Sequence, residues 1–259
     1  MPEPRTPQGR AGLAALRADL PRSLIALDYD GTLAPIVARP QDAVPAAGAV
    51  EVLTQLASRV GRLALVTGRP ALVAVELGGL ASVPGLTVLG QYGVERWSAG
   101  VLSAPEPFVG IAAARAELPA LVEWVGAEIE DKGQSLVVHT RNAPAGAQER
   151  LAEPVGELAR RTGLEMHHGR RVLELRPPGF DKHGALMAVA TPRPAAVLFA
   201  GDDVGDARGF DAVNELRSEG VPGLTVLSDS DEAPPALRDR ADLVVDGPAG
   251  VVDLLRTLL

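Results

Sequence analysis

The chain has 259 residues and no cysteine, which excludes disulfides, thiolate zinc sites and a cysteine nucleophile and leaves oxygen or imidazole as metal donors. Against 33 Asp and Glu there are only 25 Lys and Arg, scattered along the chain, and the formal net charge of -8 argues against a nucleic-acid partner. No apolar run is long enough to span a membrane and the start has no signal-peptide pattern, so a soluble, cytoplasmic monomer with no membrane partner is expected.

Residues 1 to about 12 are polar and Pro-rich and read as a frayed start; "GLAALRADLP", residues 12–21, reads as a short helix ended by Pro21. "SLIALDYD", residues 23–30, is a continuous apolar run ending in acid, a buried strand. "GAVEVLTQLASRV" places Val50, Leu53, Leu56 and Val60 at helical spacing, and "GRLALVTGR", residues 61–69, is a second buried strand. The stretch 109–177 breaks this rhythm. There "ALVEWVGAEIEDKG", residues 120–133, and "AQERLAEPVGELARRTG", residues 147–163, read as amphipathic helices. Each is followed by an extended run with one polar side, "QSLVVHTR" (134–141) and "RRVLELRP" (170–177).

After the break the alternation resumes. "AAVLFAGDD" (195–203), "GLTVLSDSD" (223–231) and "ADLVVDG" (241–247) are short apolar runs ending in Gly or Asp, with helices at 209–220 and 249–259. Two-sided apolar strands alternating with helices predict a doubly wound, mostly parallel α/β sheet, with a small helix-and-strand unit inserted at 109–177. In such sheets ligands bind beyond the carboxyl ends of the strands.

Those ends are where the polar residues collect. Asp28 and Asp30 stand two positions apart, on one face of an extended segment, where two like charges repel. A bound cation, a reaction that needs two carboxylates in different protonation states, or both, would justify them; an acidic pair can also simply bracket a turn. The reactive reading is covalent phosphoryl transfer: one carboxylate attacks phosphorus while its neighbour gives and later takes a proton. Gly31 lets the backbone turn, and Thr32 is expected to hydrogen-bond at the start of the next segment. Thr67 and Gly68 put a hydroxyl and a flexible backbone at the next strand end, as a plain turn also would. Asp181 caps a helix with Lys182 in its first turn, where a cation opposes the helix dipole and hints at an anionic partner. Asp202, Asp203 and Asp206 crowd a further strand end, a poor arrangement without a cation, for which Mg²⁺ with its oxygen ligands is the candidate.

Asp-x-Asp-Gly-Thr, strand-Thr, Lys and Gly-Asp-Asp-x-x-Asp, in that order, resemble the haloacid dehalogenase (HAD) superfamily of phosphohydrolases. More narrowly, "LDYDGTLAPIVARP", "VTGRP", "EDKGQSLVVHTRNAP", "VLELRPPGFDKHGAL" and "GDDVGDARGF" are similar to the trehalose-6-phosphate phosphatase family over most of residues 23–255. The resemblance implies a HAD-type Rossmann-like core at 1–108 and 178–259 and a mobile α/β cap at 109–177. It implies Asp28 as nucleophile, Asp30 as general acid/base, Thr67, Gly68 and Lys182 on the phosphoryl oxygens, and Mg²⁺ on Asp28, the Asp30 carbonyl and Asp202, with Asp203 and Asp206 behind. Lys132, His139, Arg141, Asn142 and Glu174 would bind the hydroxyls of a sugar phosphate, although a Lys-Gly turn or a cross-strand Arg and Glu pair is also ordinary. The chain departs from the family pattern at Gly205 and Ala207, where Thr and Glu are usual, and at Tyr92, where His is usual. These departures leave a related disaccharide or pseudo-disaccharide phosphate as second candidate. A sugar phosphomutase shares the core, and a phospho-receiver domain shares the acidic pocket without explaining the Asp-x-Asp spacing or the insertion.

Overall fold

In the computed structural model, which describes residues 3–169, 171–230 and 233–259, the chain starts with helix α1 (Pro7–Ala18) and strand β1 (Leu24–Leu27). It continues through α2 (Ala49–Ala57), β2 (Arg62–Val66), α3 (Ala71–Gly78), β3 (Leu86–Gly90), β4 (Glu95–Ser98) and β5 (Val101–Ser103). Then come α4 (Val109–Val122), β6 (Glu128–Asp131), β7 (Leu136–His139), α5 (Ala147–Thr162), β8 (Glu165–Gly169) and β9 (Val172–Arg176). The last part is α6 (Lys182–Val189), β10 (Val197–Gly201), α7 (Ala207–Ser218), β11 (Gly223–Asp229), α8 (Pro235–Arg240), β12 (Leu243–Asp246) and α9 (Gly247–Arg256). The contacts divide it into two compact units, Met1–Ser103 with Asp181–Leu259, and Ala104–Phe180.

In the first unit an eight-stranded sheet runs β12-β11-β10-β1-β2-β3-β4-β5, parallel as far as β3 and antiparallel through β4 and β5. Successive strand residues face opposite sides. Ile25 and Leu27 therefore pack with Leu53, Leu56, Val75 and Val251 on one side, while Leu24 and Ala26 pack with Phe199, Leu186 and Phe210 on the other. With both faces covered by helices, the central strands must be apolar throughout, which is why they read as unbroken runs. This is the doubly wound α/β architecture expected from the strand and helix alternation. Strand β1 lies between β10 and β2, so the segments leaving these three strands at their carboxyl ends are neighbours.

The second unit is a four-stranded antiparallel sheet, β6-β7-β9-β8, with α4 and α5 on one face. Leu136, Val138, Leu173 and Leu175 fill the space beneath those helices together with Leu118, Leu151 and Leu158. Directly opposed residues share a face. Glu130 with Val137, Val137 with Glu174, and Glu174 with His167 are opposed pairs, so they lie on the face away from the helices.

Several expectations change. Residues 7–11 are helix rather than frayed, because Thr6 accepts a hydrogen bond from the Gly9 N–H at 2.9 Å and the Arg5 N–H reaches the Asp242 carbonyl at 2.6 Å. Asp242 stands near the other end of the chain, so the anchor is invisible to local pattern. The helix expected at 120–133 ends at Val122; Gly126, at φ 65°, terminates it, and 128–131 forms β6 by pairing with β7. Strands β3 to β5 and β8 carried no assignment; the β4–β5 hairpin closes on Ala99 and Gly100, both at positive φ. Met1, Pro2, Arg170, Asp231 and Glu232, which the expected start and the 170–177 and 223–231 runs touch, lie outside the described residues. Among the described residues no helix is long and apolar enough to cross a membrane.

Candidate active site

Asp28 leaves β1 still paired to β10, its N–H donating to the Ala200 carbonyl at 2.9 Å. Its buried carboxylate meets the Lys182 Nζ at 2.8 Å. Lys182 is the first residue of α6, whose N-cap Asp181 accepts from the Gly184 N–H at 2.8 Å. A long side chain in a first turn points back past the helix start, and here that direction leads into the acidic pocket. The same ammonium lies 2.6 Å from Asp206 Oδ1. Burial works against its charge, but Asp206 and Asp28 outweigh that effect and hold Lys182 protonated, well above the ordinary lysine range. The cation that opposed the helix dipole in the sequence is thus compensated by two carboxylates.

Asp202 follows β10 and is also buried. Its approach depends on Gly31, which sits at φ 74°; a Cβ there would lie 2.0 Å from Asp202 Oδ2. Ser228, on β11, donates to the Gly31 carbonyl at 2.6 Å and pins the turn. Asp28, Asp202 and Asp206 each offer an oxygen within 4.8 Å of the others. Three buried carboxylates around one ammonium leave excess negative charge. Burial, and then the neighbouring acids, push Asp202 up to about 8 and, against the pull of Lys182, Asp206 up to about 6; Asp28 rises well above the usual carboxylate range, chiefly through burial. This all-oxygen donor set fits a hard divalent cation. Asp206 is the least available of the three, since its Oδ1 accepts from Lys182 and its Oδ2 accepts the N–H groups of Asp202 and Asp203 at 3.0 and 3.1 Å. Asp203 is exposed and accepts the Asp206 N–H at 3.2 Å, closing a reciprocal capping box over residues 203–206.

Thr67, buried at the end of β2, accepts the Arg69 N–H at 3.1 Å, so the chain turns back immediately after the strand. At Gly68 a Cβ would lie 2.7 Å from the Tyr92 hydroxyl, so any other residue would have to displace the end of that ring. Tyr92 itself holds φ 60° and donates its N–H to the Thr67 carbonyl at 2.9 Å. Asp30 is gripped by both arms of Arg69, each at 2.7 Å. Thr32 does not make the hydrogen bond expected of it: its buried hydroxyl has no partner among the described residues.

In the second unit, Lys132 Nζ lies 3.7 Å from Glu174, which also accepts from the Ser135 hydroxyl at 3.1 Å. His139 pairs with Glu130 at 2.8 Å, and Asn142 reaches Glu128 at 3.5 Å. Arg141 follows β7 and is exposed. The Arg176 guanidinium donates to His167 Nδ1 at 3.0 Å, and burial, with the arginine's charge, keeps that imidazole neutral. Apart from Val137 and Val172, the face of the sheet opposite the helices therefore carries polar side chains, among them Glu130, His139, Glu174, His167 and Arg176.

A family model for trehalose-phosphatase matches residues 26–240, the span that contains every one of these groups. The chain belongs to the trehalose-phosphatase family. A trehalose-phosphate phosphatase of Mycobacterium marinum is 31% identical over 90% of this chain and 60% of its own length. An uncharacterized glycosyl hydrolase of Mycobacterium tuberculosis is 34% identical over 74% of this chain but only 15% of its own length. The chain thus spans 60% of the length of the first of these curated relatives and 15% of the second. Among solved structures, a trehalose-6-phosphate phosphatase related protein superposes with a TM-score of 0.71 at 25% identity, covering 91% of this chain and 96% of that one.

Sequence reasoning passed over Arg69, Ser135, His167 and Arg176. Arg69 was legible as part of Thr-Gly-Arg, but its partner Asp30 stands 39 positions earlier, and only the β1–β2 pairing brings the two together. Ser135 and Arg176 alternate with buried leucines on β7 and β9, a pattern that marks a polar face without marking which of its residues matter.

Proposed function

We propose that this chain is a phosphoric monoester hydrolase acting on a disaccharide phosphate, with trehalose 6-phosphate as the first candidate, through an aspartyl-phosphate. The observation that carries the reading is the buried Asp28 carboxylate held against Lys182 at the end of β1, with Asp30 two residues on. Asp28 attacks phosphorus, so that a bond forms between its oxygen and phosphorus as the ester P–O bond breaks, and Asp30 gives a proton to the departing sugar oxygen. Asp30 then takes a proton from the water that attacks the acyl phosphate, which frees Asp28 and releases inorganic phosphate. Lys182, Thr67 and the backbone at Gly68 hold the phosphoryl oxygens throughout. Asp28 and Asp202, with the Asp30 carbonyl, are the candidate holders of Mg²⁺, with Asp206 and Asp203 behind them. Bound there, Mg²⁺ would supply positive charge to the phosphoryl oxygens and to the crowded carboxylates.

The unit 104–180 is assigned as the cap, with Lys132, His139, Arg141, Asn142 and Glu174 as readers of sugar hydroxyls. Polar side chains over one face of a small sheet are what such recognition uses. One observation favours the second reading, another disaccharide or pseudo-disaccharide phosphate: Tyr92 packs its ring against Gly68, beside the phosphoryl-binding turn, where the family usually has His. Phosphate release over a panel of sugar and disaccharide phosphates with Mg²⁺ tests the proposal. Asp28→Asn is expected to abolish release, because an amide is a far poorer nucleophile than a carboxylate, and near wild-type turnover in that variant would refute it.

A further inference from the structure

Arg69 stands just beyond the end of β2, and the steps above give it no task. Its Nε donates to Asp30 Oδ2 and its Nη2 to Asp30 Oδ1, both at 2.7 Å, and Nη2 also donates to the Pro40 carbonyl at 2.9 Å. Its guanidinium carbon lies 5.3 Å from the centre of the Tyr29 ring, within cation–π range. That ring is itself immobile: Tyr29 is fully buried and its hydroxyl donates to the Ala43 carbonyl at 2.8 Å. The Arg69 backbone is held as well, its N–H by Thr67 and its carbonyl by the Gln91 N–H at 2.9 Å. The two partners differ in exposure, with the Arg69 side chain 13% exposed and the Asp30 side chain 42%. The arginine is the fixed member of the pair and the carboxylate the one that is held.

A two-armed grip of this kind fixes the plane of a carboxylate as well as its position. No lysine could do the same, since a single ammonium lacks the planar fork. For a residue that must deliver a proton to one oxygen and later collect one from water, orientation is what decides the rate.

We propose that Arg69 is a positioning residue for Asp30: it sets where the acid/base carboxyl stands relative to the ester oxygen, and acts on the substrate only through that carboxyl. The inference rests on the phosphatase reading above. It predicts that Arg69 matters only where Asp30 matters. An alkyl phosphate such as a sugar ester needs a proton on its leaving oxygen, whereas p-nitrophenolate departs without one.

The test measures kcat and KM of the full chain on its preferred sugar phosphate and on p-nitrophenyl phosphate, for Arg69→Gln, Arg69→Lys, Asp30→Asn and the two double variants. Arg69→Gln is expected to lower kcat on the sugar phosphate by roughly 10- to 100-fold, up to the lower end of what general acid–base assistance contributes, because the carboxyl is misplaced and not removed, with KM little changed. The loss in kcat/KM, which reports the steps up to leaving-group departure and not the hydrolysis common to both esters, should be several times smaller on p-nitrophenyl phosphate than on the sugar phosphate, and Arg69→Lys should follow Arg69→Gln. In the Asp30→Asn background the second substitution should change kcat on the sugar phosphate by no more than about twofold, the scatter of independent sites. Equal losses in kcat/KM on both esters, or losses that multiply in the Asp30→Asn background, would overturn the proposal and make Arg69 a substrate contact or a folding residue. Failure of the phosphatase reading registers separately, as turnover that survives Asp28→Asn.

Discussion

Replacing Lys182 by Met keeps a long apolar stem and removes the one cation among Asp28, Asp202 and Asp206. The ammonium is buried 2.8 Å from Asp28 and 2.6 Å from Asp206, and both carboxylates are themselves buried. Breaking a buried pair by deleting one partner costs about 3 to 5 kcal/mol, because the remaining charge is left desolvated and unpaired. Here two carboxylates lose the partner at once, but Asp206 keeps two backbone N–H donors, so the lower half of that range is expected at pH 8. The sign with pH follows from the same groups. Lys182 now draws protons off Asp28 and Asp206; without it the folded variant holds protons that an unfolded aspartate releases above pH of about 4. Stability of the variant therefore falls more steeply than wild type as pH rises from 5 to 8, and the loss at pH 5 should be about 1 to 2 kcal/mol smaller, roughly one protonation step. Urea denaturation in chelator at the two pH values measures this, with fluorescence of the buried Trp97 reporting on the larger unit. A loss below about 1 kcal/mol at pH 8, or one independent of pH, would refute the argument.

Four further outcomes are expected. In chelator, wild-type thermal stability should fall as pH rises through the range from about 4 to about 8, since burial pushes Asp206 up to about 6 and Asp202 up to about 8; added Mg²⁺ should raise Tm more at pH 8 than at pH 5, and equal shifts would count against a cation among these carboxylates. Asp202→Asn should weaken Mg²⁺ activation more than Asp203→Asn does, measured as the Mg²⁺ concentration for half-maximal phosphate release, because Asp203 is exposed and spent on its cap. Asp242→Asn should cost about 3 kcal/mol in denaturant, since it leaves the Arg217 guanidinium without its buried carboxylate, and hydrogen exchange over residues 7–18 should accelerate as the Thr6 hydroxyl, the N-cap of α1, exchanges a carboxylate acceptor for a weaker amide. Arg141→Ala and Glu174→Ala should lower kcat/KM for the preferred sugar phosphate by about 2 to 3 kcal/mol while sparing p-nitrophenyl phosphate; equal losses on both would remove these residues from sugar recognition.

What the sequence determined by itself is whatever local chemistry dictates. Unbroken apolar runs such as Leu24–Leu27 and Val197–Gly201 specify strands buried on both faces, and such strands call for a mostly parallel sheet covered by helices on either side. The acids and the threonine at their ends were readable as a site because a parallel sheet collects its strand ends on one edge. Pattern alone could not reveal partners that are far apart in the chain. Whether Lys182 faces solvent or a pocket depends on Asp28 and Asp206, more than twenty positions away in either direction, and Asp30 is oriented by an arginine that the β1–β2 pairing delivers. The helix start at residue 7 depends on Asp242, near the other end of the chain. Residues 128–131 carry helix-compatible glutamates, yet become a strand because β7 offers an unpaired edge and Gly126 ends the helix before them. Local propensity is worth tenths of a kcal/mol per residue, whereas giving up a ladder of hydrogen bonds or leaving one buried charge unpaired costs several; where the two disagree, only the tertiary structure decides.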